Sequence, residues 1–241
     1  MAITFFGVGT TPADNSANTS DPTTVAPPGS MTVGDLVLMI GAYRSSAGTL
    51  SLTEESNQNW TLFAQHNTTN CRRLIGWCIF NGTWGGTNPT INMPGTSSNG
   101  IQLLVFRPTS TSYKWKLDVT LTNSTYSAPS TPFTVTLNGI TIASNSVAIA
   151  MWHSVDDNTW GSLSGSGWDK TSLANQYRIS ANFASTYAYY IGSGATGNVS
   201  QNQATLGGDA GATSILSFTE YIPYSPGFPT NTFRVFPRGW R

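Results

Sequence analysis

His66 and His153 are the only imidazoles in the chain, so acid–base chemistry near neutral pH must pass through one of them or through a shifted carboxyl group. His153 stands close to Asp156 and Asp157, and serines are abundant, so the inventory of a Ser-His-Asp triad is present. The local setting is not: no G-x-S-x-G lies between a strand and a helix, and residues 153–158 read as a solvated strand end. Glycoside hydrolysis needs two carboxyl groups flanking the scissile bond. Glu54 and Glu55 are adjacent, so in a strand they point to opposite faces, and the one other glutamate is Glu220, in an apolar run. The expectation is a glutamate pair on a solvated loop, and no catalytic residue.

Metal chemistry has as little to build on. Two histidines and two cysteines without tight ligand spacing do not make a zinc site. Asp156-Asp157-Asn158 and Gly208-Asp209 offer oxygen donors for calcium, but Asx-rich turns ordinarily bond their own backbone. Cys71 and Cys78 lie in one strand-like run. A rise of about 3.3 Å per residue puts them beyond disulfide reach within that strand. They read as free thiols of a chain made in a reducing cytoplasm, and no cofactor is expected.

Aromatic side chains are the more informative class. Trp60, Trp77, Trp152 and Trp168 fall within or beside strand-like runs and read as core. Trp84, in Gly82-Thr83-Trp84-Gly85-Gly86, and Trp160, in Thr159-Trp160-Gly161, read as glycine-flanked loop residues. Loop indoles of this kind stack on sugar rings, anchor an interface, or fold back over a sheet edge. The last residues are unusual in another way. Tyr224, Phe228, Phe233, Phe236 and Trp240 alternate with prolines and with Arg234, Arg238 and Arg241. Proline spacing keeps such a segment extended and lowers its ordering cost, and arginine with aromatics is a hot-spot composition. Residues 223–241 therefore read as an arm for a neighbouring subunit, the alternative being closure over its own sandwich.

The elements that must position these residues follow from composition and pattern. Only 9% of the 241 residues are charged and the net charge is zero, whereas 39% are apolar and 12% aromatic. That is far from the charge-rich, aromatic-poor composition of a disordered chain. The basic residues form no stripe, so nucleic acid is not an expected partner. No apolar run approaches the ~20 residues of a membrane span, so no membrane insertion is expected. The N-terminus lacks the pattern of a secretory signal.

Sustained helical periodicity is absent, and short β-branched and aromatic runs punctuated by Gly, Pro and Asn recur throughout. Residues 1–32 read as an N-terminal strand followed by an extended low-complexity linker, and 33–222 as an antiparallel β-sandwich. Within it, a buried strand, a tryptophan, an aromatic strand, a polar strand and an apolar strand occur in that order over about 33–108 and again over about 115–222. Two such halves fit one jelly-roll-like sandwich with interleaved strands, the favoured reading, or two separate sandwiches.

Thr4-Phe5-Phe6-Gly7-Val8-Gly9, Val33-Gly34-Asp35-Leu36-Val37-Leu38, Asn59-Trp60-Thr61-Leu62 and the strand from Ile101 to Pro108 together resemble a phage and prophage virion family. Its members carry a GDLL-type strand, a GWT-like turn and a jelly-roll-like β-sandwich, and the resemblance covers most of the chain. It implies a virion component assembled in the bacterial host cytoplasm, either a tail appendage of fibre or adaptor type or a head decoration. Its expected partners are other virion proteins and further copies of itself, with a trimer compatible. No catalytic residue carries over. A glycan-binding receptor-attachment module is the alternative, and a polysaccharide-degrading enzyme a further one.

Overall fold

The computed structural model describes residues 2–9, 23–44, 47–69, 71–93, 99–127, 133–155, 160–170, 177–179, 183–203 and 210–223. These residues form strands, turns and loops and no helix. The first nine strands are Thr4–Val8 (β1), Thr23–Thr24 (β2), Leu36–Arg44 (β3), Ser51–Glu54 (β4), Thr61–Leu62 (β5), His66–Asn67 (β6), Cys71–Ile79 (β7), Thr90–Asn92 (β8) and Asn99–Arg107 (β9). The next nine are Lys114–Tyr126 (β10), Phe133–Leu137 (β11), Thr141–Ser154 (β12), Trp160–Ser164 (β13), Trp168–Asp169 (β14), Tyr177–Ile179 (β15), Phe183–Ala195 (β16), Val199–Gln203 (β17) and Gly211–Tyr221 (β18).

Both sets of nine are wired alike. The first builds a large sheet in the order β1-β9-β3-β7-β5, with β6 also on β7, and a small sheet β2-β8-β4. The second builds β10-β18-β12-β16-β14, with β15 also on β16, and β11-β17-β13. Register agrees with topology. Leu36 faces Phe106 on one side and Ile79 on the other, and Val147 faces Phe218 and Ile191 in the same way. The chain is therefore a tandem repeat of one nine-stranded unit.

The all-β antiparallel sandwich expected from the sequence is present, but the halves do not interleave. Every strand pairing among the described residues stays within one repeat. The first repeat also starts earlier than residue 33, because β1 pairs with β9 and β2, inside the expected linker, pairs with β8.

Layering explains why the strands of the large sheets are apolar on consecutive residues. Side chains alternate sides along a strand, so Leu36, Leu38 and Ile40 enter one core while Val37 and Met39 enter another. The first core lies between the two large sheets and also takes Val147, Ile149, Met151, Tyr187, Leu216 and Phe218 from the second repeat. The second lies between the large and small sheets of the first repeat, and a third, around Trp152, Trp160 and Trp168, lies between those of the second. The molecule thus has four layers, with its two large sheets covered on both faces. Each fully buried Leu, Ile or Phe contributes about 1.5–3 kcal/mol, so the shared core is a major part of what holds the repeats together.

The Gly34-Asp35 pair fixes where β3 begins. Gly34 has φ +96°, a conformation that disfavours any side chain. The turn it allows buries Asp35, whose carboxylate accepts from Thr32 N (2.8 Å) and from Arg107 Nε and Nη2 (3.1 and 2.9 Å). Arg107 ends β9 and also lies over the Phe6 ring at 4.0 Å. One turn therefore ties β3, β9 and the strand beside it.

Candidate functional site

A group of polar side chains lies at one end of the shared core, where Arg73 crosses from the first repeat to the second. Arg73 sits on β7 in phase with Ile75 and Trp77, which face the other repeat. It is buried, and so is His153, in phase on β12 with Ile149 and Met151. Arg73 Nη1 lies 3.1 Å from His153 Nδ1, and Nη2 lies 2.8 Å from His66 Nδ1. Nη2 also lies within hydrogen-bond distance of Asn123 Oδ1 (3.1 Å) and of the Thr213 carbonyl (2.9 Å), so its two N–H groups are shared among three acceptors. A guanidinium only donates, so both imidazoles accept at Nδ1 and carry their proton on Nε2.

The electrostatics follow from that geometry. Burial, and then the neighbouring Arg73 charge, lowers the His66 pKa from 6.5 to about 4. Burial also lowers His153 well below its ordinary value, with Arg73 and His66 adding to the effect. Arg73 itself is lowered to about 10, chiefly by burial, and remains a cation at neutral pH. Its contacts among the described residues are neutral acceptors, and the one ion pair among those residues is Arg107 with Asp35. Nε of Arg73 is buried without a hydrogen-bond partner. A cleft of about 530 Å³ opens over this end of the junction, walled by Asn67 and Thr68 from the first repeat and by Tyr126, Ser127, Val155 and Gly211 from the second.

This placement corrects the reading of His153. It is not at a solvated strand end; it closes the inter-repeat core, because alternation along β12 turns it inward with Ile149 and Met151. Asp156, Asp157 and Asn158 lie outside the described residues, as do Gly208 and Asp209. Arg73 was not legible as a site residue. Its signal was phase: in Cys71-Arg72-Arg73-Leu74-Ile75-Gly76-Trp77 it shares a face with two large core residues.

The remaining candidates are engaged in the fold. Glu54 ends β4 and accepts from Ser56 N at 2.7 Å, while the adjacent Glu55 is exposed. Glu220 is buried, and its two carboxylate oxygens accept from Thr109 N and Oγ1, pinning the segment between the repeats to β18. Cys71 and Cys78 are free, buried thiols, and burial pushes Cys71 up to about 11 and Cys78 higher still.

The two loop indoles separate. Trp160 is 1% exposed and opens β13 within the third core, so it has no free face for a sugar ring. The glycine after it makes room rather than a loop: a Cβ on Gly161 would stand 2.2 Å from Asn202 Oδ1. Trp84 is half-buried, folded back over the second core with its ring centroid 6.0 Å from that of Phe80. Tyr224, Phe228, Phe233, Arg234, Phe236, Arg238, Trp240 and Arg241 lie outside the described residues.

Among the described residues, the exposed large apolar side chains are Val33, Leu62, Tyr221 and Ile222. Three of them gather near one end. Trp115 Nε1 donates to the Gly34 carbonyl, and Trp115 pairs with Glu220 next to Tyr221. A groove of about 290 Å³ lined by Thr32, Val33, Arg107, Pro108 and Thr109 lies there.

No protein-family model, curated protein or solved structure matches this chain.

Proposed function

We propose that the chain is a structural component of a bacteriophage particle, a tail appendage or a head decoration, which acts through protein–protein contacts rather than catalysis. The observation that supports this most is where its exposed apolar side chains fall. Val33 lines the groove at Pro108, and Tyr221 and Ile222 lie just before residues 224–241 in the chain. That aromatic, proline-spaced, arginine-bearing stretch has the composition of an interface anchor. The body behind it suits a passive scaffold. Its small sheets turn uncharged side chains outward, among them Thr134, Thr136, Ser162 and Ser164, and its large sheets are covered on both faces.

In this reading residues 224–241 dock on a neighbouring subunit in the particle, and the chain works as a homo-oligomer. Ending the chain after Pro223 tests it. The expected result is a folded protein with an unchanged melting profile that sediments as a smaller species and fails to enter particles. Normal incorporation of the shortened chain overturns the proposal. Copy number per particle then separates the two locations, since a head lattice takes far more copies than a tail.

A further inference from the structure

We infer that His66, Arg73 and His153 form an acid-released clasp between the two repeats: a proton on either Nδ1 turns an acceptor of the guanidinium into a second cation, and the repeats part at this end of their shared core. The geometry carries the inference. Both histidines of the chain converge on one arginine, at 2.8 and 3.1 Å, through the nitrogen that must stay unprotonated for the contact to exist. His66 and Arg73 belong to the first repeat, whereas His153, Asn123 and the Thr213 carbonyl belong to the second.

Among the described residues, each packed element presents few groups to the clasp. β6 supplies His66 and β7 supplies Arg73, with Cys71 and Arg72 nearby. β10 supplies Asn123 and Tyr126, the latter donating its hydroxyl to the His153 carbonyl at 2.9 Å. β12 supplies His153, and β18 supplies Thr213 and Ser214, whose hydroxyl donates to Asn123 Oδ1. No carboxylate of the described residues pairs with Arg73 to absorb an added positive charge. His66 is only half-buried, so a proton has a route in from solvent.

The direction of the effect follows by linkage. The opened junction exposes imidazoles of ordinary affinity, near 6.5, while the closed one holds His66 at about 4 and His153 well below its ordinary value. Between those limits the open state binds more protons, so the clasp is fully effective above about pH 6.5 and weakens as the pH falls toward 4. A window from pH 7 to 4.5 stays above the ordinary carboxyl values of about 3.9 and 4.3, so it reports chiefly on the clasp.

The test is hydrogen exchange of the full chain at pH 7 and 4.5, corrected for intrinsic rates, alongside His66→Gln and the double variant with His153→Gln. Glutamine keeps an acceptor and does not titrate. Parting at this end uncovers β10 and the start of β18, whose pairing lies within the second repeat and then frays. In the wild type, amides of residues 119–126 and 211–215 should therefore lose about tenfold protection or more at the lower pH, while residues 36–40 keep theirs. His66→Gln should show a clearly smaller loss, and this variant alone decides the matter if the double variant does not fold. Unchanged wild-type protection overturns the inference, and so does an equal loss in His66→Gln. Imidazole NMR gives an independent reading: a His66 midpoint near 6.5 rather than near 4 also overturns it.

Discussion

Arg73 and His153 meet across the inter-repeat core at positions where the opposite repeat carries a small residue. Arg73 pairs with Ala42 across β7 and β3, and at the matching place His153 pairs with Ser185 across β12 and β16. Ser185 thus corresponds to Arg73, and Ala42 to His153. Two identical repeats packed face to face would set arginine against alanine twice, or histidine against serine twice. The divergence of one site into a donor and an acceptor gives this end a contact that only unlike repeats can make.

The Asp35 turn is the sharpest stability prediction. Asp35→Ala removes the acceptor for Thr32 N and for both Arg107 donors. Because Arg107 keeps some solvent, the expected loss is about 1–3 kcal/mol rather than that of a wholly buried pair. Urea titration measures it, and an unchanged midpoint would remove the turn from the account of what fixes β3. Gly34→Ala, placed at φ +96°, should cost about 1–2 kcal/mol on its own.

Trp160 and Trp84 should behave differently despite similar sequence settings. Trp160→Ala leaves a large hole in the third core and should cost about 3–5 kcal/mol. Trp84→Ala uncovers only part of the second core and also removes an indole N–H that is buried without a partner, so a smaller loss is expected. Thermal unfolding of the two variants checks the order. Equal and small losses would mean that Trp160 is not the core residue described.

What the sequence disclosed, and what it hid, divides along the same physical line. Continuous apolar runs such as Leu36 to Ile40 and Val147 to Trp152 announced strands buried on both faces, and the order of elements announced the repeat. The equivalence of Trp60 and Trp168 was visible too, since Thr61 pairs with Trp77 as Asp169 pairs with Tyr189. Whether the halves interleave depends on long-range pairing, which local pattern does not encode. Trp160 reads as a loop residue because glycine beside an aromatic signals a loop equally well as a close approach, here to Asn202. Arg73 was missed because a charge at a strand end ordinarily points to water. Only its phase with Ile75 and Trp77 marks it as inward.

The thiols offer a probe of the same packing. Cys71 and Cys78 are buried on β7, and burial holds both in the thiol form, Cys71 up to about 11. Thiolate is the reactive species, so a maleimide or aromatic disulfide reagent should label neither in the folded chain at pH 8, and both once it is unfolded in guanidinium. Rapid labelling of one cysteine in native buffer would show that β7 is more open than the layered packing requires.

Cutting the chain between the repeats tests the architecture as a whole. Among the described residues the repeats share no strand pairing, so a break introduced between Ser110 and Ser112 severs none of these sheets. They do share the core around Leu38, Phe106, Ile149, Tyr187 and Phe218, and Phe5 stacks on Tyr189 of the other repeat at 4.7 Å between ring centroids. A nicked chain should therefore elute as one species at pH 7, whereas either repeat produced alone should expose that face and aggregate. Phe218→Ala should weaken the association of the nicked halves more than it disturbs the pairing within the second repeat. Separation of the unmodified halves at neutral pH would show that the linker, and not the shared core, holds them together.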